Sequence, residues 1–344
     1  MPARHDASEV PALIALFAGA LAIGSSGIFV RLSETGPTAT AFWRGAFALP
    51  LLAVWAVLEA RARAAAPPPA GRPPAAPPPA ATPPAATPTE RSWRDPMFFW
   101  AGVFFAGDLA LWHASLLLTS VAASTLEANC APMVVTLGAW ALWGERPRPS
   151  FLLALALASV GLLLIVSTKF AHGPPALAGD LLGLGTACFY GFYILAVARL
   201  RTRYGAGIVM FNSTLVFTLL LLPLALTQKF LPATPHGWLL LAGCALSAQV
   251  LGQGLVAYAL AHLPATFSSV GLYLQSIAAT AYAWLLLQER LTPWQIAGGC
   301  IVLGAIALAR TARRAPLPDL ETLPAPRLPR ASLRSSAPRH SKSR

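Results

Sequence analysis

Carboxylates are scarce in this chain: 13 Asp and Glu are spread over 344 residues, and charged residues of both signs make up only 11%. No block is both polar enough and long enough to fold as a separate water-soluble domain, which excludes a globular enzyme or binding module. Histidine and cysteine are also few, at 6 and 4. Cys130, Cys188, Cys244 and Cys300 lie in apolar runs without metal-type spacing, so they read as small fillers and neither a disulfide framework nor a metal site is expected. No Ser/His/Asp set, carboxylate pair or His-rich motif meets at one depth, so a membrane-embedded enzyme lacks machinery and no cofactor is expected.

What is abundant is apolar length. Hydrophobic residues make up 56% of the chain, in runs of roughly 17 to 25 residues. A bilayer core about 30 Å thick takes about 20 helical residues to cross, and backbone groups cannot go unbonded in lipid. The expected fold class is therefore an all-α integral membrane protein with ten transmembrane helices. The spans are placed at 10–30, 38–58, 97–118, 121–143, 151–167, 177–198, 207–226, 237–261, 265–287 and 293–309. The first follows Arg4 and contains small residues, as a secretory signal would, but its length favours an uncleaved helix.

Lys and Arg set the expected orientation. With the N-terminus cytoplasmic, inner segments carry 20 of these residues and outer loops only Arg31, Lys169, Lys229 and Arg290, with Arg44 inside a helix. The net charge of +12 thus serves topology and faces anionic lipid, and nucleic acid is not an expected partner. Residues 1–9 form a cytoplasmic N-terminus. Residues 64–89, nearly all Ala and Pro, read as a disordered cytoplasmic linker, and the basic segment 310–344 as a disordered cytoplasmic tail.

An internal repeat organises the rest. At an offset of 144, Leu111, Leu116, Ser124, Thr136, Trp140, Leu142 and Pro149 meet Leu255, Leu260, Ser268, Thr280, Trp284, Leu286 and Pro293, and Glu145-Arg146 meets Glu289-Arg290. Each half holds an odd number of spans, five, so the second enters the membrane inverted. Inverted repeats of this kind serve secondary transporters, whose halves exchange conformations around a central site.

Ala41-Phe-Trp-Arg44, Gly107-Asp-Leu-Ala-Leu-Trp-His113, Thr119-Ser-Val-Ala-Ala with Pro132, and Gly144-Glu-Arg146 resemble an EamA-type permease of the drug/metabolite transporter superfamily. Leu263-Pro-Ala-Thr, Gln288-Glu-Arg290 and the Gly-rich tenth span resemble its second copy. The resemblance implies two inverted five-helix EamA repeats, over 10–168 and 177–309, in a bacterial inner-membrane permease with both termini cytoplasmic. It also implies efflux of an amino acid or related small polar metabolite. A non-transporting sensor or scaffold on the same fold is the alternative.

Buried ionisable groups mark the expected pathway, because each costs about 2.5–3.5 kcal/mol to insert. Arg44, Asp108 and Glu127 qualify, and Arg44 can pair with only one of the two carboxylates. The other keeps its proton until a cation or solvent path arrives, which makes Glu127 and Asp108 the candidates for proton coupling. Asp108 shares a helix face with Trp112 and Ser115, whereas His113 points elsewhere and reads as a helix contact. Glu127 is preferred over Asn129, which lies on the opposite face. Gln249, Gln253, Tyr273 and Gln275 supply uncharged hydrogen-bonding groups for a polar solute. Asp180 reads as a helix-dipole partner, and Glu145, Arg146, Glu289 and Arg290 as anchors or gate contacts at span ends. Asp108 and Glu127 align with Gly252 and Gly271, so the expected cavity is electrostatically lopsided. Gly179, Gly183, Ala187 and Gly191 form a small-residue stripe for close helix packing, or for a homodimer.

Overall fold

A computed structural model describes residues 6–65, 95–118, 128–167, 177–288 and 292–314, and every regular element among them is helical. In order these are α1 (Asp6–Gly24), α2 (Ser26–Leu32), α3 (Pro37–Ala65), α4 (Pro96–Leu118), α5 (Ala131–Trp143), α6 (Pro149–Ser167), α7 (Leu177–Arg201), α8 (Ala206–Ala225) and α9 (Pro235–Cys244). A π-helix (Ala245–Gln253), α10 (Gly254–Ala259), α11 (Ala265–Gly271), α12 (Leu274–Leu287) and α13 (Pro293–Arg314) follow. Seven helical segments are long and apolar enough to cross a membrane: α1 with α2, α3, α4, α7, α8, α9 through α10, and α13. α5 and α6 supply shorter apolar helices. The Ala/Pro-rich linker beyond Ala65, the start of the fourth span, Glu289, Arg290 and the tail lie outside the described residues.

Helix starts follow from local chemistry. α3, α4, α6, α9 and α13 each begin at a proline, whose fixed φ suits the first turn and whose missing N–H would be unbonded there. Asp95 Oδ1 accepts from Met97 N at 3.0 Å ahead of α4, and Thr234 Oγ1 accepts from Gly237 N at 3.1 Å ahead of α9. The only non-helical backbone of the left-handed kind among the described residues is at Gly144 (φ 71°) and Gln288 (φ 55°). Both cap a helix, α5 and α12.

Three expected spans are not single α-helices. The first breaks at Ser25, whose hydroxyl bonds Ala22 O at 2.7 Å and Ser247 Oγ at 3.0 Å. The eighth widens into the π-helix. The ninth breaks at Leu272 and Tyr273, where Tyr273 N bonds Val270 O at 3.1 Å and Gln275 N bonds Leu272 O at 3.0 Å, three-residue bonds that tighten the turn.

Packing runs deepest between α4 and α7 and between α3 and α8. Small residues permit it. A Cβ on Gly207 would lie 2.8 Å from the backbone of Ala56, and one on Gly191 2.8 Å from Val134 Cβ. The second contact turns that end of the small-residue stripe toward α5 of the same chain. The core carries Leu16, Leu52, Phe105, Phe217 and Tyr273, while Ile14, Leu142 and Leu239 stand on the outside. Apolar side chains facing outward are what hydrocarbon surroundings allow and water penalises.

Candidate functional site

α3 and α4 from the first half meet α7, α8 and the π-helix from the second around a polar centre. Arg44, only 6% exposed, donates from Nε to Gln249 Oε1 at 3.0 Å. Gln249 in turn donates from Nε2 to Thr214 Oγ1 at 2.9 Å. The Arg44 guanidinium lies over the Phe105 ring at 5.3 Å, a cation-π contact. Phe105 stacks on Tyr193, with centroids 4.5 Å apart, and meets Phe217 edge-on at 5.0 Å.

Arg44 therefore does not form the ion pair with Asp108 that charge counting allowed. A neutral amide and an aromatic face hold its guanidinium instead, because Gln249 reaches Nε from the widened π turn. Asp108, half-buried, has no hydrogen-bond partner and no cation within ion-pair distance among the described residues, though it lies within the electrostatic reach of Arg44. Tyr190 stands beside it on α7, interacting with both Asp108 and the side chain of Gln253. Gln249 and Gln253 are 0% and 2% exposed, so the π turn buries both amides. A nearly complete burial of two amides at membrane depth is costly unless each finds a partner, and here each does.

Other expected site residues fall elsewhere. Trp112 is half-buried beside His113, with ring centroids 5.1 Å apart, and its carbonyl accepts from Ser115 Oγ at 2.7 Å. His113 is buried, and its Nδ1 has no partner among the described residues. Tyr273 and Gln275 line an adjoining crevice with Asn129, Pro132, Ser269 and Tyr190, the last shared with the polar centre. Its free volume, about 10 Å³, is that of one water. The Tyr273 hydroxyl also reaches Ser159 Oγ at 3.4 Å. Asn129, set aside in favour of Glu127 on helical phase, lines this crevice, while Glu127 lies outside the described residues. So do Glu289, Arg290 and the side chain of Asp180. Glu145 and Arg146 are exposed after the Gly144 cap.

Sequence reasoning missed Thr214, Phe105, Tyr190 and Tyr193. All four sit among residues of similar kind, and only the three-dimensional crossing of α4, α7 and α8 singles them out. It also missed the end clasps. Glu59 on α3 accepts from Ala206 N at 3.1 Å and Gly207 N at 2.7 Å, capping α8. At the opposite end of α3, Glu34 accepts from Ala233 N at 2.6 Å, from Thr234 N at 3.1 Å and from the Thr234 hydroxyl. The Thr234 hydroxyl, with the Ala233 amide next, holds the Glu34 carboxyl below its ordinary value of 4.5.

A helical protein with several membrane-crossing segments and a buried polar centre is built as a membrane transporter is. Comparison with known proteins bears this out. Residues 177–311 match the EamA-like transporter family. The pseudopaline exporter CntI of Pseudomonas aeruginosa strain UCBPP-PA14 is 30% identical over 218 residues, 63% of this chain and 75% of that one. The uncharacterized transporter YwfM of Bacillus subtilis strain 168 is 26% identical over 230 residues, 65% of this chain and 76% of that one. A protein of known crystal structure superposes with a TM-score of 0.67 at 16% identity, over 89% of this chain and 99% of that one, and so shares the fold. The chain belongs to the EamA-like transporter family, within the drug/metabolite transporter superfamily, and is a multi-span membrane transporter.

Proposed function

We propose that this protein exports a small polar metabolite, an amino acid or a related compound, across the bacterial inner membrane by alternating access. In this reading ten crossings form two inverted five-helix repeats, both termini are cytoplasmic, and the solute passes the centre where the halves meet. The observation that carries the reading is that centre itself. Arg44 and Asp108 come from one half, and Tyr190, Gln249 and Gln253 from the other. A site shared by two halves changes its exposure when they move against each other, which is the geometry alternating access requires.

The repeat has local support. The left-handed caps Gly144 and Gln288 lie at aligned positions. Thr136 and Thr280, also aligned, each donate to the carbonyl four residues back, at 2.7 and 2.9 Å. Trp140 and Trp284 stand half-exposed in the same way, at 50% and 48%. Export, rather than uptake, is supported by the likeness to the pseudopaline exporter. Asp108 is the proton-exchanging group in this scheme, with Glu127 as second carboxylate, since a carboxylate without a fixed partner is free to trade its proton for a passing cation or a water path.

Cells overproducing the full chain, challenged with a set of toxic amino-acid analogues at pH 6 to 8, test this. The wild type should confer resistance to at least one analogue and lower its cellular content. Asp108→Asn, present in the membrane at equal amount, should lose at least tenfold of that efflux and its dependence on pH. Binding of an analogue without any movement in reconstituted vesicles would make the protein a sensor and end the transport reading.

A further inference from the structure

Among the described residues, the centre holds a buried cation with no carboxylate at ion-pair distance and Asp108 only within electrostatic reach. Arg44 is buried at a depth where an unneutralised guanidinium is costly, and among the described residues no carboxylate lies within ion-pair distance of it. Its surroundings fix its pose. Nε is taken by Gln249, Gln249 is held at its other end by Thr214, and one face of the guanidinium plane is covered by Phe105. The two terminal nitrogens have no acceptor among the described residues. What remains available is the edge of the fork, with parallel N–H groups in one plane. That edge suits an anion that accepts two N–H groups side by side, and a planar carboxylate accepts both in the guanidinium plane.

We propose that Arg44 docks a carboxylate group of the transported solute, and that Gln249 is the positioning residue that turns the guanidinium edge toward the pathway. This rests on the transport reading above and names the chemical class of what is moved. Lysine would supply the charge without the fork, and a bare guanidinium without Gln249 would swing toward Asp108. The widened π turn acquires a purpose here, because it brings Gln249 within 3.0 Å of Nε.

Gln249→Glu decides the matter. Glutamate keeps the length and still accepts from Nε, but it brings its own carboxylate and neutralises Arg44 in place. Full-length wild type, Q249E and R44K are compared in cells by the compounds enriched in the medium, and as purified protein by melting temperature in detergent without added solute. The compounds enriched by the wild type should carry a free carboxylate, and both variants should lower their excretion at least tenfold at equal membrane abundance. Q249E should melt above the wild type, because it sets a carboxylate against the Arg44 guanidinium. Excretion by Q249E at the wild-type rate, or enriched compounds without a carboxylate, would overturn the assignment. So would a Q249E that melts below the wild type, because Arg44 would then already be neutralised. If the wild type enriches nothing, the transport reading fails, and the melting comparison still decides whether Arg44 awaits an anion.

Discussion

Two glutamates with the same chemistry do different jobs because of where the chain puts them. Glu59 satisfies the free N–H groups that begin α8, an arrangement favoured by the helix dipole. Glu34 ties the turn between α2 and α3 to the start of α9, beside a second tie from Gly36 N to Lys229 O at 2.9 Å. Since folding holds the Glu34 carboxyl below its ordinary 4.5, this clasp is fully present above that value and is lost as pH falls through the depressed folded one. Melting curves of the full chain in detergent should therefore show an acid-side loss of stability starting below about pH 4.5. Glu34→Gln should melt lower than the wild type at pH 7 and lack that step, and a variant with the same acid profile as the wild type would remove the clasp from the account. Neither glutamate was legible in the sequence. Each lies at a span end, where a carboxylate is unremarkable, and its partners are about 150 to 200 positions away.

Helices were far easier to read than their interruptions. Apolar length located α3, α4, α7 and α8 because hydrocarbon permits little else. The break at Ser25 is accompanied by a contact with another helix, Ser25 to Ser247, and no local residue pattern announces it, the π turn or the break at Tyr273. Of the centre, Arg44, Asp108, Gln249 and Gln253 were legible because polar side chains stand out in apolar runs, whereas Tyr190, Tyr193 and Phe105 were hidden among other aromatics. Close helix approach makes a sharper test at this scale. At the crossing of α3 and α8, a methyl on Gly207 would press on the Ala56 backbone at 2.8 Å, and backbone cannot swing aside. Gly207→Ala should cost about 1–3 kcal/mol, read as a lower unfolding midpoint. Gly299 on α13 has nothing within 4 Å of the same methyl, so Gly299→Ala should be neutral or stabilise by up to about 1 kcal/mol through helix propensity. Equal effects at the two sites would mean that the α3–α8 crossing is not as tight as described.

At the scale of the molecule, the contacts sort chain segments to opposite ends of α3. The turn at Glu34 and Gly36 joins 229–234 at one end. At the other, Glu59 joins Ala206 and Gly207, Arg201 donates to Ala257 O at 2.7 Å, and the Tyr204 hydroxyl reaches Asp95 at 3.3 Å. The second group carries Arg199, Arg201 and Arg203, and the first only Arg31 and Lys229. Basic residues stay on the cytoplasmic side during insertion, so the Glu59 end should face the cytoplasm. Single cysteines at Ala233 and Thr202, both exposed, report on this when the four native cysteines are replaced. In intact spheroplasts a membrane-impermeant maleimide should label Ala233→Cys at once and Thr202→Cys only after permeabilisation. The reverse pattern would invert the orientation and leave the repeat intact. Labelling of both from outside would be worse for the scheme, since 202 and 233 are separated by the single crossing of α8 and could share a side only if α8 did not span the membrane.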